Sequence, residues 1–520
     1  MTTDQIDSAD KTSAQSFLFL PIPDTDFHDY LEEIMLFADR NPAIVTAIEC
    51  DLDAYALEKK KSRTLDQQFI ASQTDSLMGL VLSPNVATYT PSVQPQLYAG
   101  RPRTSAYLVF IFSMLRGFLG SVTSKEAKRF ILESISLYAF FADRGISVPA
   151  PTTILENVNM VSAKTQELIF KKQIECVMEE SLDDFKELTI DSTAVHANSS
   201  WPTDGKTLIN LIARIYRIGR KLNRFGLKDF TQGHISRWIE EMRAIEFSIN
   251  LESGKPGAVR ERKKLYKKLL KKGEQAIAAL QQEFDRKAQG LPLCSMMPSQ
   301  ARQVEVVVEQ LREDLADARK VVDYARKRIF EDEILPAKKK ILSLSDGSAA
   351  YISKGGREAV IGYKPQLTRS ANGFVADLTV PLGNAADSAQ LVPCIQRAIA
   401  RSGVTAELVS SDDGYSSKEG MEKLTELGIS VVSISGSKGK KITNPELWNS
   451  ELYKQARNNR SAVESLMFTL KDGYDFGRLG RRGIEAVRSE LNEKVVAYNF
   501  CRMILIRARK VKAQLLQRTG

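Results

Sequence analysis

The sequence predicts an α/β chain: a mixed β-sheet flanked by helices, with an all-α N-terminal domain and a long helical insert. Three observations carry this. An apolar-flanked segment, LTIDSTAVHA, reads as a buried strand around Asp191. Strand-period stretches return only after Glu358, where they alternate with helix-period stretches. The interval 206–349 reads as almost continuous helix, with apolar residues recurring three and four apart along it.

The elements follow in order. Residues 1–25, rich in Ser, Thr and Asp, predict a disordered tail. Residues 26–180 read as helical: DYLEEIMLFAD and SKEAKRFILESISLYAFFADRG have the 3.6-residue period, with a helix start near Ser124 and a restart behind the Pro-rich turn after Gly145. Short helices and tight turns suit either a helix-turn-helix-like DNA-binding module or a dimerisation bundle. Lys186 to Ala197 predicts the first strand, after which Pro202 and Asp204 open the helix TLINLIARIYRIGRKL. Within the insert, Val304, Val308, Leu311, Leu315, Ala318 and Val322 form one apolar stripe, and Lys264 to Phe284 a second, more basic helix. Thr207 to Leu335 is thus expected as antiparallel helices bent near Pro292, Pro298 and Pro336, serving as an arm toward DNA, a partner subunit, or as a spacer. Beyond Glu358, AVIGYKPQL and GFVADLTVPLG read as strands around a hairpin turn at Arg369 to Gly373. A helix (Ser388 to Ser402), a strand (Ala406 to Ser411), a helix (Lys418 to Leu427), the strand ISVVSISGS, one late helix (Pro445 to Lys471) and a basic terminal helix (Ile484 to Lys512) complete the reading. The expected domains are 26–180, helical; 181–205 with 350–515, the α/β domain; and 206–349, the insert.

A chain of 520 residues exceeds what one core holds. It is basic, with 73 Lys+Arg against 64 Asp+Glu, and the cations cluster at Arg260 to Lys272, Lys338 to Lys340, Lys438 to Lys441, Arg478 to Arg482 and Arg502 to Lys512. Such clustering fits a polyanionic partner. The five cysteines are dispersed with no C-x2-C pair, which suggests neither zinc nor a disulfide framework and fits a reducing cytoplasm. The N-terminus has no signal-peptide pattern, and the apolar run near Tyr107 to Leu115 is too short for a bilayer. No membrane is expected as a partner. The three histidines, His28, His196 and His234, offer little for His-based catalysis.

The chemistry-bearing pattern lies late. Arg460, Glu464 and Lys471 read R-x3-E-x6-K, spacings that return to one helical face and place a carboxylate between two cations. Upstream, Asp191 ends a strand-like run and Asp412 opens D-x-G-Y (Asp412, Gly414, Tyr415) after another. Each piece alone is ordinary, since a strand-end Asp is usually a turn residue and Arg460–Glu464 is a common i,i+4 pair. The ordered set resembles the DDE transposases of bacterial insertion sequences, which have a ribonuclease-H-like core. DSTAVHANSSWPTDG, YKPQLTRSANGFVADLTVPLGNAADSAQL and GRPRTSAYLVFIFSMLRGFLG resemble further segments of that family, so the resemblance covers most of Gly100 to Lys510 apart from the insert. There is one departure: where the family has a tyrosine three residues before the arginine, this chain has Arg457.

The resemblance implies a ribonuclease-H-like mixed sheet in which the first strand lies beside the strand carrying the second acid. It implies Asp191, Asp412 and Glu464 as ligands of two Mg²⁺ or Mn²⁺ ions, with Asp412 preferred over its neighbour Asp413. Arg460, Lys471, Arg457 and Tyr415 would contact DNA. Trp201 would either stack on an unpaired base or serve structurally. The implied activity is binding of terminal inverted repeats, hydrolytic release of DNA ends and transesterification into target DNA, by a homodimer or larger assembly in a bacterial cytoplasm, nucleoid-associated. A nuclease without strand transfer, or a non-catalytic DNA-binding derivative, are the alternatives.

Overall fold

A computed structural model describes residues 27–81, 103–120, 123–199, 201–225, 233–252, 255–288, 296–353 and 358–519. The expected tail at 1–25 lies outside the described residues. Those described within Met1–Asp53, Pro102–Ser199 and Ser348–Gly520 form one compact unit, and those within Ala54–Arg101 and Ser200–Gly347 a second.

The N-terminal region is helical: α1 (Phe27–Arg40), α2 (Pro42–Val81), α3 (Ala106–Leu119), α4 (Ser124–Glu133), α5 (Ile135–Asp143), α6 (Pro151–Val158) and α7 (Ala163–Glu179). The start of α4 is set by a reciprocal capping box, in which Thr123 Oγ1 accepts from the Glu126 N–H and Glu126 Oε2 accepts from the Thr123 N–H at 2.8 Å. Strands β1 (Glu187–Ser192) and β2 (Val195–His196) follow. The second unit then contributes α8 (Asp204–Gly219), α9 (Gly233–Leu251), α10 (Ala258–Ala288) and α11 (Pro298–Phe330). The chain continues through β3 (Ala350–Ile352), β4 (Val360–Tyr363), β5 (Gln366–Ser370), β6 (Val375–Thr379), α12 (Leu391–Ser402), β7 (Leu408–Ser411), α13 (Lys418–Glu426) and β8 (Val431–Ile434). It ends with α14 (Ser437–Ile442), α15 (Pro445–Asn449), α16 (Glu451–Asn459), α17 (Ser461–Gly473) and α18 (Ile484–Thr519).

The main sheet has the order β6-β5-β1-β7-β8. β6, β5 and β1 run antiparallel, whereas β1, β7 and β8 run parallel. β1 is central and buried on both faces, with Leu188 and Ile190 on one and Thr189 and Asp191 on the other. The β5–β6 hairpin turns where expected, with Gly373 at φ +91°, a conformation that side-chain-bearing residues resist. α12 packs on β6, β5 and β1, α16 on β7 and β8, and α17 on β1 and β5.

Two expectations are corrected. AVIGYKPQL is two strands, not one. Pro365 lacks an N–H, so the ladder cannot run through it. β4 therefore joins a small antiparallel sheet, β2-β4-β3, while β5 joins the main one. The late helix is likewise three helices. Ser450 is extended (φ −64°, ψ 150°) and its hydroxyl accepts from the Tyr453 N–H at 3.3 Å to start α16. Arg460, between α16 and α17, keeps helical dihedrals (φ −53°, ψ −37°), so the faces of the two helices stay in step.

Except for the part of α2 beyond Asp53, which falls in the second unit, the N-terminal helices share a unit with the sheet. The reason is α18, which packs against α3, α7 and α1 as well as β6. Its Asn499 side chain accepts from the Val375 N–H at 2.9 Å and donates to the Val375 carbonyl at 3.0 Å, occupying the open edge of β6. In the second unit, α8 to α11 enclose a core built from Leu208, Met242, Leu269, Leu280, Leu311 and Ala325, among others, with the α11 stripe buried as its spacing predicts.

Candidate active site

β1 and β7 are neighbours in parallel register, with Ile190 opposite Ser411. The next residue in each chain is an aspartate. Asp191 and Asp412 thus leave the sheet side by side, at the C-terminal ends of adjacent strands. Asp191 is 6 % exposed, and its Oδ1 accepts from the Ser192 N–H at 2.6 Å. Asp412 Oδ1 accepts from the Gly414 N–H at 3.0 Å, capping a short 3-10 turn (Asp413–Tyr415).

Asp413 is committed elsewhere. Its Oδ1 accepts from the backbone N–H groups of Gly439 and Lys438, each at 2.9 Å, and from the Ser416 hydroxyl at 3.2 Å. Partial burial pushes its carboxyl up, but the N–H groups of Gly439 and Lys438 outweigh this and hold it below the usual range.

A fourth carboxylate escaped the sequence reading. A Cβ added at Gly414 would stand 3.0 Å from Asp412 Oδ1 and 3.4 Å from Asp387 Oδ2, so Asp387 borders the same space. Asp387 pairs with Lys364 Nζ at 2.8 Å and accepts from Gln366 Nε2 at 3.0 Å. Burial pushes its carboxyl up, and the hydrogen bonds from Lys364 and Gln366 more than reverse that. Asp387 lies in NAADSAQ, a turn with no strand or helix period, and only the fold brings it to Asp412.

Glu464 sits in the first turn of α17, the helix that packs on β1 and β5. Its side chain is 57 % exposed and Arg460 Nη2 donates to its Oε1 at 2.9 Å. Lys471, in the last turn of α17, lays its stem toward Gly477, with Cγ 3.7 Å from where a Cβ would stand. The three acids expected to converge are therefore brought together only in part: Asp191 and Asp412 share the strand ends, while Glu464 is engaged by Arg460. Among the described residues, no group of three or more His, Cys, Asp and Glu side chains is assembled to hold a metal ion.

The other expected contacts divide. Arg457 lies over the Trp448 ring at 4.9 Å, a cation–π contact that occupies its guanidinium face. Tyr415 is corrected as a DNA contact: it is fully buried and its hydroxyl donates to Gln366 Oε1. Burial first, then the charges of Asp387, Asp191, Cys394 and Asp412, push its phenol far above the usual range. It is the floor beneath the carboxylates. Trp201 is 55 % exposed and falls in the second unit. His196 is exposed on β2. Two basic clusters turn out to be partly internal. Arg481 forms a two-pronged pair with the buried Glu493 at 2.7 and 2.6 Å, and Arg507 is clasped by Glu33 and Glu180.

Residues 336–500 match the family model described as the transposase DDE domain. The match includes Asp412 and Glu464 and excludes Asp191 and helices α8 to α11. No curated protein and no solved structure matches the chain. No helix among the described residues is long and apolar enough to cross a membrane.

The donor chemistry at Asp191 and Asp412 fits a divalent ion. Hard carboxylate oxygens suit Mg²⁺ or Mn²⁺, and a third carboxylate waits on a helix packed against the same strand.

Proposed function

We propose that this protein binds the terminal inverted repeats of its own element, cleaves the DNA ends by metal-dependent hydrolysis and joins the 3′ ends to target DNA by transesterification. The observation that carries the reading is the placement of Asp191 and Asp412 at the ends of neighbouring parallel strands. The sheet order β6-β5-β1-β7-β8, three antiparallel strands continued by two parallel ones, supports a ribonuclease-H-like core. Asp191 and Asp412 would hold two Mg²⁺ or Mn²⁺ ions, and Glu464 would complete the set by exchanging Arg460 for metal. Such ions would activate the attacking oxygen and relieve charge on the leaving one. Arg460 and Lys471 then serve DNA phosphates, and Tyr415 with Gln366 fixes the floor under Asp191 and Asp412. The protein acts on double-stranded DNA as a homodimer or larger assembly.

The test uses purified Asp191→Ala, Asp412→Ala and Glu464→Ala proteins on labelled end DNA with Mg²⁺. Each is expected to lose cleavage and keep DNA binding. Wild-type-like cutting by any one removes that residue from the site. Cleavage by the wild type without joined products would favour a nuclease.

A further inference from the structure

The second unit carries a concentration of charge that the catalytic reading does not use. Lys255 to Lys272 contains nine Lys and Arg and one Glu, a surplus of eight, where the entire chain has a net charge of +9. The adjoining helix α11 holds seven Lys and Arg against six Asp and Glu, the mixture of an ordinary solvated face. One side of α10 is core, with Tyr266, Leu269 and Leu270 buried, so the cations are driven to the other side.

That other side is concave. A hollow of about 780 Å³ is lined by Arg260, Lys263, Lys264 and Lys267, with the apolar Val259 and Phe330 at its rim. Val259 is 70 % exposed and Phe330 36 %. The acids nearby are spent on exposed pairs, Lys264 with Glu261 at 2.6 Å and Lys263 with Asp332 at 3.2 Å. Such pairs exchange readily for another anion. Arg260 to Lys271 spans ~16 Å of helix at about 1.5 Å per residue, comparable with about five base pairs of duplex at ~3.4 Å each.

We propose that the cationic hollow at the start of α10 is a second DNA-binding surface, which grips duplex through its phosphates irrespective of sequence. This rests on the DNA reading of the preceding section. The experiment measures anisotropy of a labelled random-sequence duplex against salt, with full-length wild type and an Arg260→Gln/Lys264→Gln/Lys267→Gln variant. Each lost phosphate contact lowers the slope of log affinity on log salt by about 0.9, so the variant is expected to be shallower by about 3 and weaker on all sequences alike. Should the triple variant not fold, Lys267→Gln alone is expected to remove about one unit of slope. An unchanged slope overturns the proposal, as does loss of binding to an acidic peptide with DNA binding intact, which would assign the hollow to a protein partner. Absence of DNA binding by the wild type is a different result: it overturns the DNA reading itself.

Discussion

Arg460 donates to Glu464 at 2.9 Å, one helical turn away, so the carboxylate of the R-x3-E-x6-K pattern is engaged by a neighbouring cation. Arg460→Ala is predicted to change stability by no more than about 0.5 kcal/mol, because an exposed i,i+4 pair contributes little. On the proposed function it should nevertheless depress cleavage of end DNA, since the proposed phosphate contact is gone. Thermal unfolding and a cleavage assay on the same preparation decide. A clear stability loss with undiminished cleavage would make the pair purely structural.

Gly117→Ala should destabilise the first unit. The new methyl would stand 2.3 Å from the Glu493 carbonyl oxygen of α18, and backbone there cannot swing aside. The cost expected for overpacking is about 1–3 kcal/mol, read from denaturant unfolding. Gly233→Ala, where nothing lies within 4 Å, is the control. Equal midpoints for the two variants would contradict the close α3–α18 approach.

Asp377 is fully buried on β6 between Arg401 and Arg397, and Arg401 also holds Glu167. Asp377→Ala leaves Arg401 buried with half of its compensation. A loss of about 3–5 kcal/mol is expected in urea unfolding. A loss below about 1 kcal/mol, the scale of an exposed pair, would show that water reaches the site.

Glu490 gives a pH signature. Burial pushes its carboxyl up, but Lys494 and the N–H groups of Gly480 and Arg481 outweigh that and hold it below the usual range. With a folded pKa below the unfolded value of about 4.3, its contribution is full above that pH and fades as pH falls through the folded pKa. The stability gap between wild type and Glu490→Gln should therefore be largest near neutrality and shrink on acidification. A gap that widens toward acid would reverse the sign and refute the assignment.

The sequence made some of this legible and concealed the rest for identifiable reasons. β1 and β7 were readable because Leu188 and Ile190, and Leu408 and Val409, open strand-like runs that each lead into an aspartate. The α11 stripe was readable because its apolar period spans the whole helix. Asp387 was not, since a carboxylate in an aperiodic turn acquires its neighbours only from tertiary packing. Tyr415 carried the right motif but the wrong inferred task, because a motif does not record burial. Arg481 and Arg507 looked like surface charge until Glu493, Glu33 and Glu180 met them from distant positions. The joint at Ser450 was hidden because the flanking residues suit a helix and only the cap shows the break.

The small sheet fixes where the long excursion of the chain begins and ends. His196 and Ala350 both lie opposite Gly362, one on each side of β4. At ~4.8 Å per strand spacing they are about 10 Å apart. A glycine is needed between them, as a Cβ at Gly362 would stand 1.8 Å from the Val195 carbonyl oxygen. Closing a flexible loop of ~150 residues costs about 3 kcal/mol more than closing one of ~5, a modest difference because the cost grows only logarithmically. During synthesis β1 emerges long before its partner β5, and the helices α8 to α11 find their mates within the intervening stretch. The topology therefore lets the excursion condense on its own contacts before β1 meets β5.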